Sequence, residues 1–367
     1  MALDRFRAAL AIESEPERAA HLLADELLAQ GSGGTVGFLY ATDRLKSDLA
    51  PIVDILSQRT GVTNWVGTFG FGVIGGNKAV FNEPALAAMI ATWPEDQFRL
   101  FGHEPPEPIS PKGIMSGMPT AIVHADPRRP FEDALNAIAT KSGAYLVGGL
   151  TATRTKRYDQ VAGKVTQGGT SGILLGPDVG VTIGVSQGCT AIGQVREITD
   201  IQENLVAALD GEIALHALLS DLSVTGADKA DLRELLLSLH VGLPVPNCDT
   251  GDYVVRNIMG INTENGRIGV AENIAVGQKL FFCRRDRDAA TRDLGAMVEK
   301  VGKRASTIHG GLYVSCCARG PNLFESACSE VAQVQAALGD IPLIGFYANG
   351  EISGDRIYGY TGVLALF

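Results

Sequence analysis

The feature that most constrains this chain is a glycine-punctuated turn that occurs twice. Trp65-Val66-Gly67 leads through Gly72-Val73-Ile74 to Gly75-Gly76, and Leu343-Ile344-Gly345 leads through Asn349-Gly350-Glu351-Ile352 to Ser353-Gly354. Both read apolar-Gly-x4-Gly-x-Ile-x-Gly without a gap, about 280 residues apart. An amphipathic helix pattern precedes each copy, and a further apolar run follows each, Ala85 to Trp93 and Val363 to Phe367. Two strand-turn-strand units of this kind predict two related halves with a pseudo-two-fold relation, their glycine turns facing each other or a shared cleft. The alternative is two unrelated hairpins that both use glycine where backbones approach closely.

The order of elements gives the fold class. Val36 to Tyr40 reads as a strand, and Leu49, Ile52, Val53 and Leu56 mark one face of a helix that Gly61 ends. The run into Gly67 is the next strand, so the order is the one that favours parallel pairing in α/β proteins. We expect two modules, each a sheet flanked by helices. Residues 1–33 form a helical segment with a capping box at Ser14 and Glu17, residues 34–195 the first module and residues 196–367 the second. Helices are expected over Glu203 to Leu222, Lys229 to His240 and Asp288 to Lys303, with strands at Tyr253 to Ile258, Gln278 to Cys283 and Leu312 to Cys316. Pro105 to Pro119 is a proline-rich loop, and the moderately basic run Lys141 to Arg157 reads as solvated.

Charge and cysteine usage narrow the function. A net charge of -10 with no dense Lys/Arg cluster argues against nucleic acid. No run approaches the ~20 apolar residues of a membrane helix, and no signal-peptide core opens the chain. A cytoplasmic protein is expected. The six cysteines, at 189, 248, 283, 316, 317 and 328, lack Cys-x-x-Cys pairs and zinc spacing, so no metal site is expected. The glycine turns carry neither the Gly-Lys-Ser/Thr of a P-loop nor a Gly-x-Gly-x-x-Gly that opens a long helix.

Candidate ligand-facing residues lie at the ends of apolar runs, where α/β sheets bind ligands. They are Gln187, Cys189, Arg256, Cys316, Arg319, Asn349, Gly350 and Glu351. Arg256 with Glu351 suits a zwitterion, although the two would also satisfy each other as a structural pair. Cys316 beside Arg319 is a candidate nucleophile with only His309 near in sequence as a base, against the reading of a small buried thiol and a structural arginine. No catalytic residue is assigned. A haem ligand needs only one histidine, and His103 and His309 are the freest of the six, so the cofactor stays open between none and haem.

The motifs Val185-Ser-Gln187-Gly188-Cys189, Arg256-Asn257, Ser315-Cys316-x-x-Arg319-Gly320, Gly345-x3-Asn349-Gly350-Glu351-Ile352 and Tyr360-Thr361 together resemble the FIST (F-box and intracellular signal transduction) family. The Val66-Gly67 turn and Gly148-Gly149 resemble its N-terminal module, and the resemblance spans roughly residues 34–365. It implies a sensory domain for a small ligand, with amino acids proposed for the family and haem-based nitric oxide sensing in some relatives. Neither an F-box nor an output domain such as a kinase accompanies it here, so the resemblance implies a separate signalling partner. The first turn lacks the acid that Glu351 supplies in the second.

Overall fold

The computed structural model describes residues 6–112, 117–223, 238–245 and 252–367. It is an α/β protein of two compact units. One comprises residues 1–187 and 291–367, and the other is the segment Gly188–Ala290, inserted into it.

The larger unit contains three copies of one strand pattern. The first runs β1 (Phe6–Ile12), α1 (Pro16–Gln30), β2 (Val36–Thr42), α2 (Leu49–Thr60), β3 (Trp65–Gly70), hairpin β4 (Gly72–Gly75) and β5 (Lys78–Phe81), then β6 (Ala85–Ala91). The second runs β7 (Phe98–Phe101), β8 (Thr120–Ala125), α3 (Glu132–Ser142), β9 (Tyr145–Leu150), hairpin β10 (Asp159–Ala162) and β11 (Lys164–Gln167), then β12 (Thr170–Leu175). The third opens with β13 (Thr182–Ser186).

The inserted unit follows as β14 (Cys189–Gln202), β15 (Leu205–Leu209), β16 (Glu212–Ile213), α4 (Ala214–Asp221), β17 (Leu239–Pro244), β18 (Tyr253–Asn262), β19 (Arg267–Val270) and β20 (Lys279–Arg285). Then α5 (Arg287–Arg304) leads into the rest of the third copy. That is β21 (Gly311–Cys316), α6 (Cys328–Leu338), β22 (Leu343–Ala348), hairpin β23 (Glu351–Ser353) and β24 (Arg356–Tyr358), and β25 (Gly362–Leu366).

Each copy builds a six-stranded sheet of the same order: outer strand, return strand, the two parallel strands, then a hairpin. The hairpin always comes from another copy. The first sheet takes β10-β11, the second takes β23-β24 and the third takes β4-β5, so the exchange closes in a cycle. The strands ending in the two sequence-visible turns therefore do hold equivalent places, β2-β3 and β21-β22 being the matching parallel pairs. The expected two-fold relation is corrected to a three-fold one, because β8-β9 is a third equivalent pair.

One glycine carries this equivalence. Gly67, Gly148 and Gly345 lie opposite Leu39, Val123 and Tyr313 in the three parallel pairs. A Cβ would stand 1.6 Å from the Leu39 carbonyl oxygen, 1.9 Å from that of Val123 and 1.8 Å from that of Tyr313. Only glycine permits such an approach.

Period-two alternation assigns the faces. Phe38 and Tyr40, Ile122, and Leu312 and Val314 point into one apolar core shared by all three sheets. Leu39 and Ala41 face α1 and α2, Val123 faces α3, and Tyr313 faces α5 and α6. Within the shared core the Tyr40 hydroxyl and His124 Nε2 lie 3.0 Å apart, both fully buried. Burial pushes His124 down to about 3, so its ring is neutral at pH 7.

Several expected elements shift. Phe6–Ile12 is not helical. It is a strand paired antiparallel to β6 and buried on both faces except at Ile12, with Phe6, Ala8 and Leu10 in the shared core and Ala9 and Ala11 in the core under α1 and α2. The helix begins at Pro16 without a side-chain cap, and it is the Glu13 carboxylate that accepts from the Ser14 and Glu15 amides. The helix expected over 203–222 starts only at Ala214, and the one at 229–240 falls mostly outside the described residues. Between β7 and β8 of the second copy the described residues 102–112 and 117–119 form no helix, where the other two copies have α1 and α5 between outer strand and first parallel strand.

The inserted unit is an antiparallel sheet in the order β14-β20-β17-β18-β19-β15-β16, which the β14–β15 pairing closes into a barrel. The expected module boundary at 195/196 lies inside β14. Ala214, Ala217 and Leu218 of α4 pack into the barrel core.

Candidate functional site

In the larger unit, polar residues from all three copies collect just beyond the carboxyl ends of the parallel strands. The first copy supplies Asp43 after β2 and Phe71 after β3. The second supplies Arg154 after β9. The third supplies Cys316 and Cys317 at the end of β21, and Asn349, Gly350 and Glu351 after β22. Arg154 Nη1 bonds Asp43 Oδ1 at 2.8 Å, and its own amide donates to Asp43 Oδ2 at 2.7 Å. Its guanidinium lies over the Phe71 ring, 4.3 Å from the centroid. Asp43 is buried, whereas the Arg154 side chain is 41% exposed. Arg154 thus belongs to the run read as solvated loop, but it is fixed by a buried carboxylate from another copy.

Glu351 is fully buried. Its Oε2 accepts from the Thr361 hydroxyl at 2.8 Å and from the Thr361 amide at 3.3 Å, and its Oε1 has no hydrogen-bond partner. Burial, and then the neighbouring Cys316, push its carboxyl well above the usual carboxylate range, which favours the protonated form. A protonated carboxyl can donate as well as accept.

The two cysteines divide their roles. Cys316 is buried, and its hydrogen bond with Cys317, with burial second, pushes its thiol up. The same bond pulls Cys317 down, against burial. Cys317 is half-buried and lies 3.7 Å from Asn349 Oδ1, and Asn349 is exposed. The thiol disposed to react is therefore Cys317 rather than Cys316. His309 is no base for either. It precedes β21, about 20 Å from Cys316 at 3.3 Å per residue.

Arg319 faces away from this cluster. With no exposure, its Nε bonds Glu330 Oε1 at 2.7 Å, and Glu330 also accepts from Tyr313, Ser315 and Gly320. Burial disfavours the Arg319 charge, but the Glu330 carboxylate outweighs it and the guanidinium stays charged. This satisfied network ties α6 to β21, which is a structural role. The Gln187 amide donates to Asp293 at the start of α5. Cys189 and Arg256 belong to the barrel. The Cys189 carbonyl accepts from Tyr253 at 2.7 Å, and Arg256 Nε bonds Glu272 at 2.8 Å. Arg256 is thus engaged by Glu272 within the barrel. Of the eight expected residues, the structure brings together Cys316, Asn349, Gly350 and Glu351. Reasoning from sequence missed Asp43 and Arg154, which only the fold brings to the third copy. Thr361 and Cys317 stood in the quoted motifs without a role.

A group of three or more His, Cys, Asp or Glu side chains able to hold a metal is absent among the described residues. The His103 ring lies against Gly169, where a Cβ would meet its Nδ1 at 2.1 Å.

The larger unit is thus an α/β triple repeat with a polar cluster at its strand ends, the region where α/β sheets commonly place ligands. The FIST N domain model matches residues 35–212 and the FIST C domain model residues 214–354. The chain belongs to the FIST family, whose domains are associated with signal transduction and sensing. It is 28% identical over 320 residues to the uncharacterized protein Rv0628c of Mycobacterium tuberculosis, which covers 82% of this chain and 83% of that protein. It is 30% identical over 239 residues to the uncharacterized protein Mb0898c of Mycobacterium bovis, 61% of each. The N-terminal match spans the first copy from β2 onward, the second copy, β13 and the start of the barrel. The C-terminal match spans the rest of the barrel and most of the third copy. No described helix is long and apolar enough to cross a membrane.

Proposed function

We propose that this protein is a small-ligand sensor, and that its ligand is an amino-acid-like metabolite bound at the strand-end cluster through its carboxylate. The observation that carries this reading is the Glu351 carboxyl, fully buried with one oxygen unpartnered, where the three copies meet. A buried polar atom left without a partner costs about 1–3 kcal/mol, and a ligand atom on Oε1 recovers it. Protonated Glu351 donates to the ligand carboxylate, Asn349 offers an amide, and half-exposed Arg154 supplies positive charge. The sensor acts through a separate signalling protein in the cytoplasm. The five described cysteines, all free thiols, support that compartment.

The test is a thermal-shift screen of wild type and Glu351→Gln against amino acids and related carboxylates. A ligand at 100 times its dissociation constant adds roughly 2.7 kcal/mol to wild-type stability. Glu351→Gln is expected to lose most of that shift. Equal binding by both proteins places the site elsewhere. A second reading, thiol chemistry, rests on the lowered Cys317 rather than on Cys316.

A further inference from the structure

A separate feature lies on the loops beside the strand-end cluster. Residues 43–48 follow β2, residues 126–130 follow β8 and residues 151–158 follow β9, so the three loops belong to the first and second copies. The fold ties them together. Arg154 of the third loop bonds Asp43 of the first, and Arg157 of the third pairs with Asp48 of the first. Arg128 of the second donates from Nη1 to the Lys156 carbonyl at 3.4 Å.

The three loops hold seven Lys or Arg side chains and three carboxylates. Asp43 and Asp126 are buried and Asp48 is half-buried, and each is already paired, with Arg154, Arg128 and Arg157 respectively. That leaves Arg44, Lys46, Arg129 and Lys156, all exposed and without an ion pair among the described residues. The whole chain carries a net charge of -10, so this positive face is a local concentration that only the fold assembles. Gathered like charge repels itself and is relieved by a partner of opposite sign.

The neighbouring groups narrow what that partner is. The two rings beside the face, Phe71 and Tyr158, already lie under Arg154 and Arg128, at 4.3 and 3.7 Å from guanidinium to centroid, which leaves no open aromatic platform for stacked bases. The start of α2 is the natural cradle for a single phosphate, but its Leu49 amide is taken by Asp159 Oδ2 at 3.3 Å. Separate cations spread over three loops match instead a chain with carboxylates along its length.

We propose that this basic face docks an acidic segment of a partner protein, an extended run of Asp and Glu laid across the loops of the first two copies. In naming the surface a signalling partner uses, it rests on the sensor reading. Peptide binding itself needs no small ligand, so the two fail separately.

The test is fluorescence anisotropy of a labelled oligoglutamate peptide at low ionic strength, where screening is weak, without small ligand. Wild type is compared with Arg44→Glu/Lys156→Glu and with Lys300→Glu/Arg304→Glu, two exposed positions on α5 whose reversal changes the net charge equally. The expected result is saturable binding by wild type that weakens as salt is added. Arg44→Glu/Lys156→Glu binds about tenfold more weakly, as for two exposed ion pairs replaced by repulsion. The α5 variant and Glu351→Gln bind as wild type does. Should the loop variant fail to fold, Arg129→Gln gives a smaller loss in the same direction. Lack of saturable binding by wild type overturns the proposal, as does equal weakening in the loop and α5 variants. Tighter binding of an oligothymidylate of matched charge makes the face a nucleic-acid surface, and displacement of the peptide by inorganic phosphate at constant ionic strength makes it a small-anion site. Either result also overturns the proposal.

Discussion

The turns after Gly67 and Gly345 follow the same course and carry different chemistry. Six residues beyond the glycine, Val73 fills the shared apolar core in one, and Glu351 buries a carboxyl with an unmet oxygen in the other. Four residues beyond it, Phe71 lies beneath Arg154 in one, and Asn349 is exposed beside Cys317 in the other. After the preceding strands, Asp43 corresponds to Cys317. The exchange of hairpins is common to both turns, so the scaffold itself requires only the glycine and an apolar pairing residue. Where one copy has valine, the other has a buried carboxyl, the difference on which the proposed ligand site rests.

The first way to break this comparison is at the shared glycine. Gly67→Val, Gly148→Val and Gly345→Val each drive a side chain into a backbone carbonyl, and each is expected to cost more than about 4 kcal/mol or abolish folding. Urea denaturation measures it. Tolerance at Gly148 alone would remove the second copy from the equivalence.

The two arginines expected at the site sharpen the contrast between scaffold and surface. Arg319→Ala leaves the fully buried Glu330 uncompensated and is expected to cost about 3–5 kcal/mol. Arg256→Ala breaks a partly exposed pair with Glu272, for which about 0–1 kcal/mol is expected. Denaturation midpoints of the two variants compare them, and similar losses would contradict the assignment of Arg319 to the scaffold.

A smaller effect separates the adjacent thiols. Iodoacetamide at neutral pH is expected to modify Cys317 before Cys316, read by peptide mass mapping, with Arg154→Ala slowing the reaction because Arg154 helps hold the Cys317 thiol down. Faster modification of Cys316 would reverse the roles given to the pair.

Much of the strand-helix-strand order was legible because apolar periodicity and glycine stops are local signals. The second copy was not. Gly148 keeps its place in the parallel pair, but residues 151–158 separate β9 from its hairpin, so the spacing that links the other two turns is broken. Hairpin exchange was invisible as well, since pairings such as Gly75 with Ile344 join distant parts of the chain. The same holds for the site. Asn349 and Glu351 could be read from their place at a strand end, whereas Asp43 and Arg154 reach the site from the other two copies. Cys316 was weighed where Cys317 is the more exposed thiol, because the last residue of a buried strand still points inward and the next one turns out.

The account rests on Glu351 being protonated and incompletely paired in the folded protein. Its folded pKa lies above its unfolded value, so its contribution to stability is full below about pH 4.5 and is lost as pH rises towards the folded pKa. The direct measurement is the stability of wild type and Glu351→Gln by urea denaturation from pH 5 to pH 9, without ligand. Glutamine keeps an oxygen for Thr361 and has no proton to lose. The account predicts that wild type loses stability relative to Glu351→Gln as pH rises. A wild type that instead gains on the variant with rising pH would mean an ionised, well-paired carboxylate, and would contradict the claim that Glu351 is held for a ligand.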